Sequence, residues 1–386
     1  MVTAVQPATP FPRTKTSRAV ALRHLGPNWY ASVMGTAIVA TAGAGLPGAL
    51  PGLRTACTTL WALSLAMLVV LLAARTLHWT HHPDRARAGL LDLATAPFYG
   101  CLSMALLAVG GGAVLVGEDW IGTDAAFALD AVLFGAGTLI GLSGAVAIPY
   151  LMMVRHRIEP AQASPVWLLP LVAPMVSAAL GPLLVPHLPA GQPQETLLLG
   201  CLAMFGLSLL ATSLMLPLIF AGLITGNPLP LALTPTLFLV LGPLGQSTTA
   251  VGKFADFAPG VLPAPYDTAL DAFAVLYGVP VMGFALLWLS LATAVVLRAK
   301  RRGMGFTLTW WAFTFPVGTC VTGAESLARH TGLAAFDWLA IALYALLFAA
   351  WSVAATRTAR GLLSGELLAA PRPAPAEPAQ ATARTR

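Results

Sequence analysis

Residues 310–320 read WWAFTFPVGTC, an apolar stretch that Pro316 splits and that Thr314 and Thr319 polarise. Proline inside a helix removes a backbone donor and strips the carbonyl four residues earlier, here near Ala312, of its partner. An unpaired peptide group in hydrocarbon costs several kcal/mol, so such backbone persists at membrane depth only where protein buries it or water reaches it. The stretch therefore predicts a weakened helix facing an interior.

Composition sets the surroundings of that helix. Of 386 residues, 57% are hydrophobic and only 9% charged, with a mean hydropathy of +0.78, too little polar surface to coat a soluble globule. A span needs roughly 20 mainly apolar residues to cross about 30 Å of hydrocarbon. Ten such runs are found, at 27–48, 54–77, 95–117, 125–152, 165–187, 195–223, 232–255, 267–297, 306–327 and 335–357. Their apolar residues surround the whole helix, without the alternation of a membrane β-barrel. The expected fold is an all-α integral membrane protein, with a pore domain over 27–360.

Positive charge orients it, because cytoplasmic loops retain Lys and Arg. Eighteen of the 21 cations fall on one side: Arg13, Lys15, Arg18 and Arg23; Arg75, Arg85 and Arg87; Arg155 and Arg157; Arg298, Lys300, Arg301 and Arg302; Arg357, Arg360, Arg372, Arg384 and Arg386. Only Arg54, Lys253 and Arg329 fall on the other, so both termini are expected to be cytoplasmic. The net charge of +6 then points to anionic lipid and away from nucleic acid. Residues 1–26 form a polar arm without a cleavable signal, and the Pro/Ala-rich segment 361–386 cannot bury a core and is expected to be a disordered cytoplasmic tail. Cys57, Cys101, Cys201 and Cys320 lie inside apolar runs with no metal-ligand spacing and read as small buried hydrophobes, so neither a metal nor a cofactor is expected.

The spans repeat in pairs. Trp29, Phe98, Val166, Thr236 and Trp310 open the odd-numbered ones at intervals of 69, 68, 70 and 74 residues, as in five helical hairpins of one length. A helix-weakening residue follows six to eight positions later: Gly35, Pro174, Gly242 with Pro243, and Pro316, the third span being looser with glycines at 110–112. Five weakened helices around one interior would line a path, although Gly and Pro also serve close helix packing in membranes.

No Lys or Arg lies near the middle of a span, so the interior offers hydroxyl, amide and backbone groups: Ser32, Thr36, Ser103, Ser177, Gln246, Ser247, Thr248, Thr314 and Thr319. Hydroxyls serve either ionic sign, and a half-helix N-terminus adds a positive bias. Ionisable residues gather at the outer ends: Asp130, Lys253, Asp256, Asp267, Asp271, Glu325, Arg329 and Asp337. Lys253 with Asp256 and Glu325 with Arg329 have the spacing of ordinary surface pairs, or they form a mouth in which Lys253 is the outer cation. Asp130 is the deepest carboxylate, about 9 Å in at about 1.5 Å per residue, and is the proton site to test first. GLSG at 141–144 resembles the nucleophile motif of intramembrane proteases, but no histidine lies at the depth of Ser143, which argues against an enzyme.

Four motifs in order, GPNWYASVMGTAIVA, LVAPMVSAALGPLL, LGPLGQSTTAV and WWAFTFPVG, resemble the tellurite-resistance/dicarboxylate transporter family, which holds fungal malate permeases, sulfite exporters and plant slow-type anion channels. The resemblance covers about residues 27–358. It implies ten helices as five hairpins in quasi-fivefold arrangement, the odd ones around a central pore, commonly with one pore per subunit of a homotrimer. It implies transport of small inorganic or dicarboxylate anions across the inner (plasma) membrane. It also implies a pore-plugging phenylalanine at Phe315, or at Phe313 if the register slips. Joined to the residue reading above, Gly35, Thr36, Gly242, Pro243, Gln246, Ser247, Thr314, Pro316 and Thr319 are expected to line the pore, with Lys253 and Asp130 at the outer mouth.

Overall fold

A computed structural model describes residues 25–48, 51–155, 162–226 and 228–368. Most of the expected N-terminal arm and residues 369–386 of the expected tail, with Arg13, Lys15, Arg18, Arg23, Arg157, Arg372, Arg384 and Arg386, lie outside these. The described residues contain helices and no strand. In chain order the main helices are α1 (Tyr30–Ala44), α2 (Leu53–His81), α3 (Tyr99–Gly112), α4 (Thr123–Arg155), α5 (Leu168–Leu180), α6 (Gln192–Thr225), α7 (Leu241–Phe257), α8 (Tyr266–Arg301), α9 (Phe315–Thr331) and α10 (Ala334–Leu363).

Even and odd helices differ in length and surroundings. The five even helices have 29 to 36 residues and carry exposed leucines, valines and isoleucines such as Val70, Leu139, Leu214, Leu276 and Ile341. The five odd helices have 13 to 17 residues and are buried along almost their whole length. Among the described residues, seven segments are long and apolar enough to cross a membrane: the five even helices and the continuous stretches Ala96–Ile121 and Pro165–His187, which contain α3 and α5. The chain is a multi-pass membrane protein whose outer helices turn apolar side chains outward.

Each odd helix is led by a tighter 3-10 segment: Pro27–Trp29, Ala96–Phe98, Pro165–Trp167, Leu231–Val240 and Leu308–Phe313. Pro27, Pro97 and Pro165 sit in the first turn, where a missing N–H leaves no partner wanting. The same rule revises the reading of Pro316. The 3-10 segment ends at Phe313, Thr314 makes the bend with φ −96° and ψ −77°, and Pro316 is in the first turn of α9. Pro316 therefore starts a helix there.

Gly35 and Pro174, expected to weaken their helices, lie inside α1 and α5, which run on unbroken. A buried proline forfeits one backbone bond, and the helices packed on every side hold α5 through it. Pro149, Pro217 and Pro280 are likewise carried inside α4, α6 and α8. In the looser third span a π-turn, Ala113–Gly117, follows the glycines. Gly112 and Gly117 fit under the Trp61 ring, where a Cβ would stand 2.7 and 2.6 Å from its atoms.

Each helix packs on the next of its pair: α1 on α2, α3 on α4, α5 on α6, α7 on α8 and α9 on α10. The odd helices also touch one another in a closed circuit, α1 to α3, α3 to α5, α5 to α7, α7 to α9 and α9 back to α1. Polar tethers bind the even helices to this core. Trp61 Nε1 donates to the Val109 carbonyl (3.0 Å), Ser208 Oγ to Leu171 (2.6 Å), Trp288 Nε1 to Leu237 (2.9 Å) and Trp351 Nε1 to Thr36 Oγ1 (3.1 Å). In a dry interior such bonds satisfy groups that would otherwise be costly, and they fix rotation of one helix against its neighbour.

Candidate functional site: a cavity inside the odd helices

A cavity of about 170 Å³ lies at the centre of the circuit, in the half reached by the C-terminal ends of the odd helices. At about 30 Å³ per water, it has room for on the order of five waters. All five odd segments contribute: Ile38, Thr41, Ala44 and Gly45 from α1 and its end; Ala108 and Leu115 from α3 and its π-turn; Ala179, Leu180 and Leu183 from α5 and the turn after it; Gln246, Thr249 and Lys253 from α7; and Phe315, Thr322, Glu325 and Arg329 from α9. Arg54 of α2 completes the rim.

Apart from Thr41 and Arg54, the polar groups lie on one wall. Gln246, Thr249 and Lys253 follow each other at i, i+3 and i+7 on α7, and Thr322, Glu325 and Arg329 repeat that spacing on α9. Residues so spaced share a helix face. The two stripes meet at Thr249 Oγ1, 2.7 Å from Thr322 Oγ1. The opposite wall, from α1, α3 and α5, is mostly alanine, leucine and isoleucine. The cavity thus has one hydrogen-bonding side and one apolar side, an arrangement that orients a small polar solute without enclosing it in charge.

Arg54, Lys253 and Arg329 are the three cations that the sequence set apart from the other eighteen, and all three line this cavity. Arg54 holds Asp119 with two bonds, 2.6 and 2.9 Å. Asp256 receives Lys253 Nζ at 3.5 Å, Arg329 Nη2 at 3.4 Å and His330 Nε2 at 3.3 Å. His330 Nδ1 stands 3.3 Å from Asp271. Of the two surface pairs that the sequence suggested, Lys253–Asp256 forms, whereas Arg329 turns from Glu325 to Asp256. Asp256 and His330 lie just past the apolar spans. The hydrogen bond that His330 donates to Asp256 holds the imidazole above its usual range. Burial pushes Asp256 up, but the His330 bond and the Lys253 and Arg329 charges outweigh it and leave the carboxylate low.

Phe315 is buried at the deep end of the α9 stripe, in the cavity lining. Phe313 points elsewhere, into edge-on contact with Phe238 (4.8 Å between centroids) and Trp310 (5.7 Å). Gln246 lines the cavity, and its Oε1 has no partner among the described residues. Gly242 faces open space, with only Val172 as near as 4.0 Å to a built Cβ, and Pro243 beside it is buried in the same turn.

The other expected pore residues make helix contacts. Gly35 lets α1 approach Thr314 and Trp311, and Thr36 accepts the Trp351 indole. Ser247 Oγ donates to Leu244, Thr314 Oγ1 to Trp311 and Thr319 Oγ1 to the Pro316 carbonyl. Asp130 is buried against Gly110 of α3, outside the cavity lining, with Oδ2 lacking a partner among the described residues. Thr41, Thr249 and Thr322 also line the site and were not singled out from sequence, and Arg54 was set apart there only by its side of the membrane. The shared i, i+3, i+7 spacing, 76 residues apart in α7 and α9, is the signal that identifies two of them.

Comparison with known proteins agrees with this geometry. The chain is 25% identical over 347 residues to an uncharacterized transporter of Methanocaldococcus jannaschii, covering 90% of this chain and 96% of the relative. It is 28% identical over 329 residues to the sulfite efflux pump SSU1 of Trichophyton rubrum, covering 83% and 86%. A similar pump of Arthroderma otae is 26% identical over 342 residues, covering 86% and 89%. The SLAC1 model, described as voltage-dependent anion channel, matches residues 24–359. Together with a cavity whose rim gathers Arg54, Lys253 and Arg329, this places the chain in the SLAC1 voltage-dependent anion channel family, a family of anion-transporting membrane proteins.

Proposed function

We propose that this protein carries small anions, sulfite or a C4-dicarboxylate such as malate, through a central path inside the five odd helices, and that Phe315 closes that path. The observation that carries the reading is the position of Phe315 at the deep end of a cavity whose other end is edged by Arg54, Lys253 and Arg329. An anion enters past the cations, lies against the polar wall of α7 and α9, and meets the aromatic ring at the level where Thr314 bends the chain. Transport here is the lowering of a desolvation barrier by donors and cations, with no covalent step. The sulfite efflux relatives favour sulfite among the candidates.

The closed circuit of odd helices, each led by a 3-10 segment and each backed by an even helix, supports a ten-helix, quasi-fivefold transmembrane pore. On this reading the three short helices α1, α7 and α9 cross with their leading segments, both termini are cytoplasmic, and the cavity opens on the outer face of the plasma membrane. The subunit assembles as a homotrimer with one path each, in keeping with the resemblance.

The test is anion flux from proteoliposomes at clamped potential with the wild type, Phe315→Ala and Phe313→Ala. Removing the Phe315 ring should raise flux about tenfold or more, whereas Phe313→Ala, which empties the Phe238–Trp310 contact, should leave flux within about twofold and cost about 3 kcal/mol or more of stability. A folded Phe315→Ala variant with unchanged flux removes the gate.

A further inference from the structure

Among the described residues, Glu325 is the one carboxylate in the cavity lining, beside three cations. It is 6% exposed, and its Oε1 has no hydrogen-bond partner among the described residues. Gly45 makes room for it, since a Cβ there would collide with the carboxyl group. Arg329, one turn on, is committed to Asp256, so Glu325 is left without the ion pair that its spacing suggested. A second recess, of about 280 Å³, abuts the same side chain. Gly45, Glu325 and Arg329 belong to both cavities, and Pro47, Ala328 and Asp337 complete the recess. Glu325 therefore stands in a partition, with the central cavity on one side and an open recess at the same end of the molecule on the other.

A carboxylate at this place opposes the anion that the cavity is otherwise built to admit. Protonated, the same group loses that repulsion and gains an O–H donor. Burial makes an unpaired carboxyl costly to keep ionised, and the cations across the cavity offset only part of that cost. Anion occupancy and protonation then favour each other, and by linkage each raises the affinity for the other by one factor.

Resting on the transport reading above, we propose that Glu325 is a proton-binding site coupled to the anion, so that the anion enters the cavity together with a proton taken up through the adjoining recess. The groups that face Glu325 are Lys253 on α7, Arg54 and Cys57 on α2, Tyr344 and Asp337 on α10, and Arg329 on its own helix; α1 presents Gly45, which carries no charge. None of them supplies a second unpaired carboxyl inside the central cavity.

The experiment uses full-length protein in liposomes with chloride, nitrate and sulfate, whose charge is constant from pH 6 to pH 8, at clamped potential. Wild-type flux should rise at least threefold from pH 8 to pH 6, and Glu325→Gln should be fast and flat, with a ratio under about 1.5. Glu325→Asp, which keeps the carboxyl group, should retain a slope, and His330→Gln should keep the wild-type slope, since His330 lies outside the cavity lining. In weakly buffered detergent solution, adding nitrate should draw protons onto the wild type and not onto Glu325→Gln. Anion flux with a slope that Glu325→Gln preserves, or nitrate binding without proton uptake, overturns the proposal and leaves the transport reading standing. Should the wild type carry none of these anions and no sulfite or malate at any pH, the transport reading falls and this inference with it. A Glu325→Gln variant that fails to fold hands the decision to Glu325→Asp and to wild-type proton uptake, where flat flux and no uptake overturn it.

Discussion

Gly245 of α7 lies flush against the Thr319–Cys320 peptide of α9: a Cβ placed on it would stand 2.5 Å from both the Thr319 carbonyl carbon and the Cys320 nitrogen. Backbone cannot yield as a side-chain tip can, so the two helices that build the polar wall are set at a separation only glycine allows. Gly242, one turn earlier, has nothing nearer than Val172 at 4.0 Å. Gly245→Ala should therefore cost roughly 1–3 kcal/mol, whereas Gly242→Ala should leave stability within about 0.5 kcal/mol. Thermal unfolding of the two variants in one detergent checks this, and equal losses would show that the α7–α9 interface is looser than described.

Gln246 carries the reverse consequence. Its Oε1 is buried without a partner among the described residues, and an unsatisfied polar atom costs about 1–3 kcal/mol. Gln246→Met, close in volume and without the amide, should raise the melting temperature while reducing anion flux severalfold. Unfolding and flux on one preparation decide it. A variant that loses stability and keeps its flux would place the amide among the structural contacts.

Seven of the ten expected spans were readable because hydrocarbon thickness and hydrophobic run length are one quantity: the expected 165–187 coincides with Pro165–His187, and the long helices overrun their expected ends by one to six residues where charged ends leave the hydrocarbon. The lining was less readable. Gly35, Thr36 and Thr319 carry the composition expected of a path, but small residues and hydroxyls are also what close helix contacts use, and a sequence does not say which neighbour is 3 Å away. Thr249 and Thr322 became visible only as a repeated i, i+3, i+7 stripe, and Glu325 only once Arg329 was found to bind Asp256.

The rim predicts a salt dependence. Lys253 and Arg329 share the single carboxylate Asp256, leaving excess positive charge at the cavity mouth, and Arg54 is half exposed although held by Asp119. Charge at an entrance raises the local anion concentration by about tenfold or more at low ionic strength and fades once the Debye length drops from about 10 Å at 0.1 M to about 3 Å at 1 M. Lys253→Gln and Arg329→Gln should each lower anion flux about threefold to tenfold in dilute buffer, with the gap from wild type narrowing in 0.5 M of an osmotically matched, impermeant salt. A deficit that ignores salt would mean these side chains act by direct contact.

His330 ties the ends of α7, α8 and α9 together through Asp256 and Asp271, and its hydrogen bond to Asp256 raises its proton affinity in the folded protein. A histidine held above its ordinary value of about 6.5 binds protons more tightly folded than unfolded, so its contribution to stability is complete below about pH 6.5 and disappears as the pH climbs through the raised folded value. Asp256, held low, changes charge only in stronger acid and adds nothing to the slope in this window. The melting temperature of the wild type should accordingly fall between pH 6 and pH 8.5, and His330→Gln should lose part of that fall while melting lower than the wild type at pH 6. Because the histidine sits beside the mouth and outside the cavity lining, its flux should keep the wild-type response to pH even as its stability loses one, and a variant in which both responses vanish together would mean that the Asp256 cluster, and not the cavity wall, senses the proton.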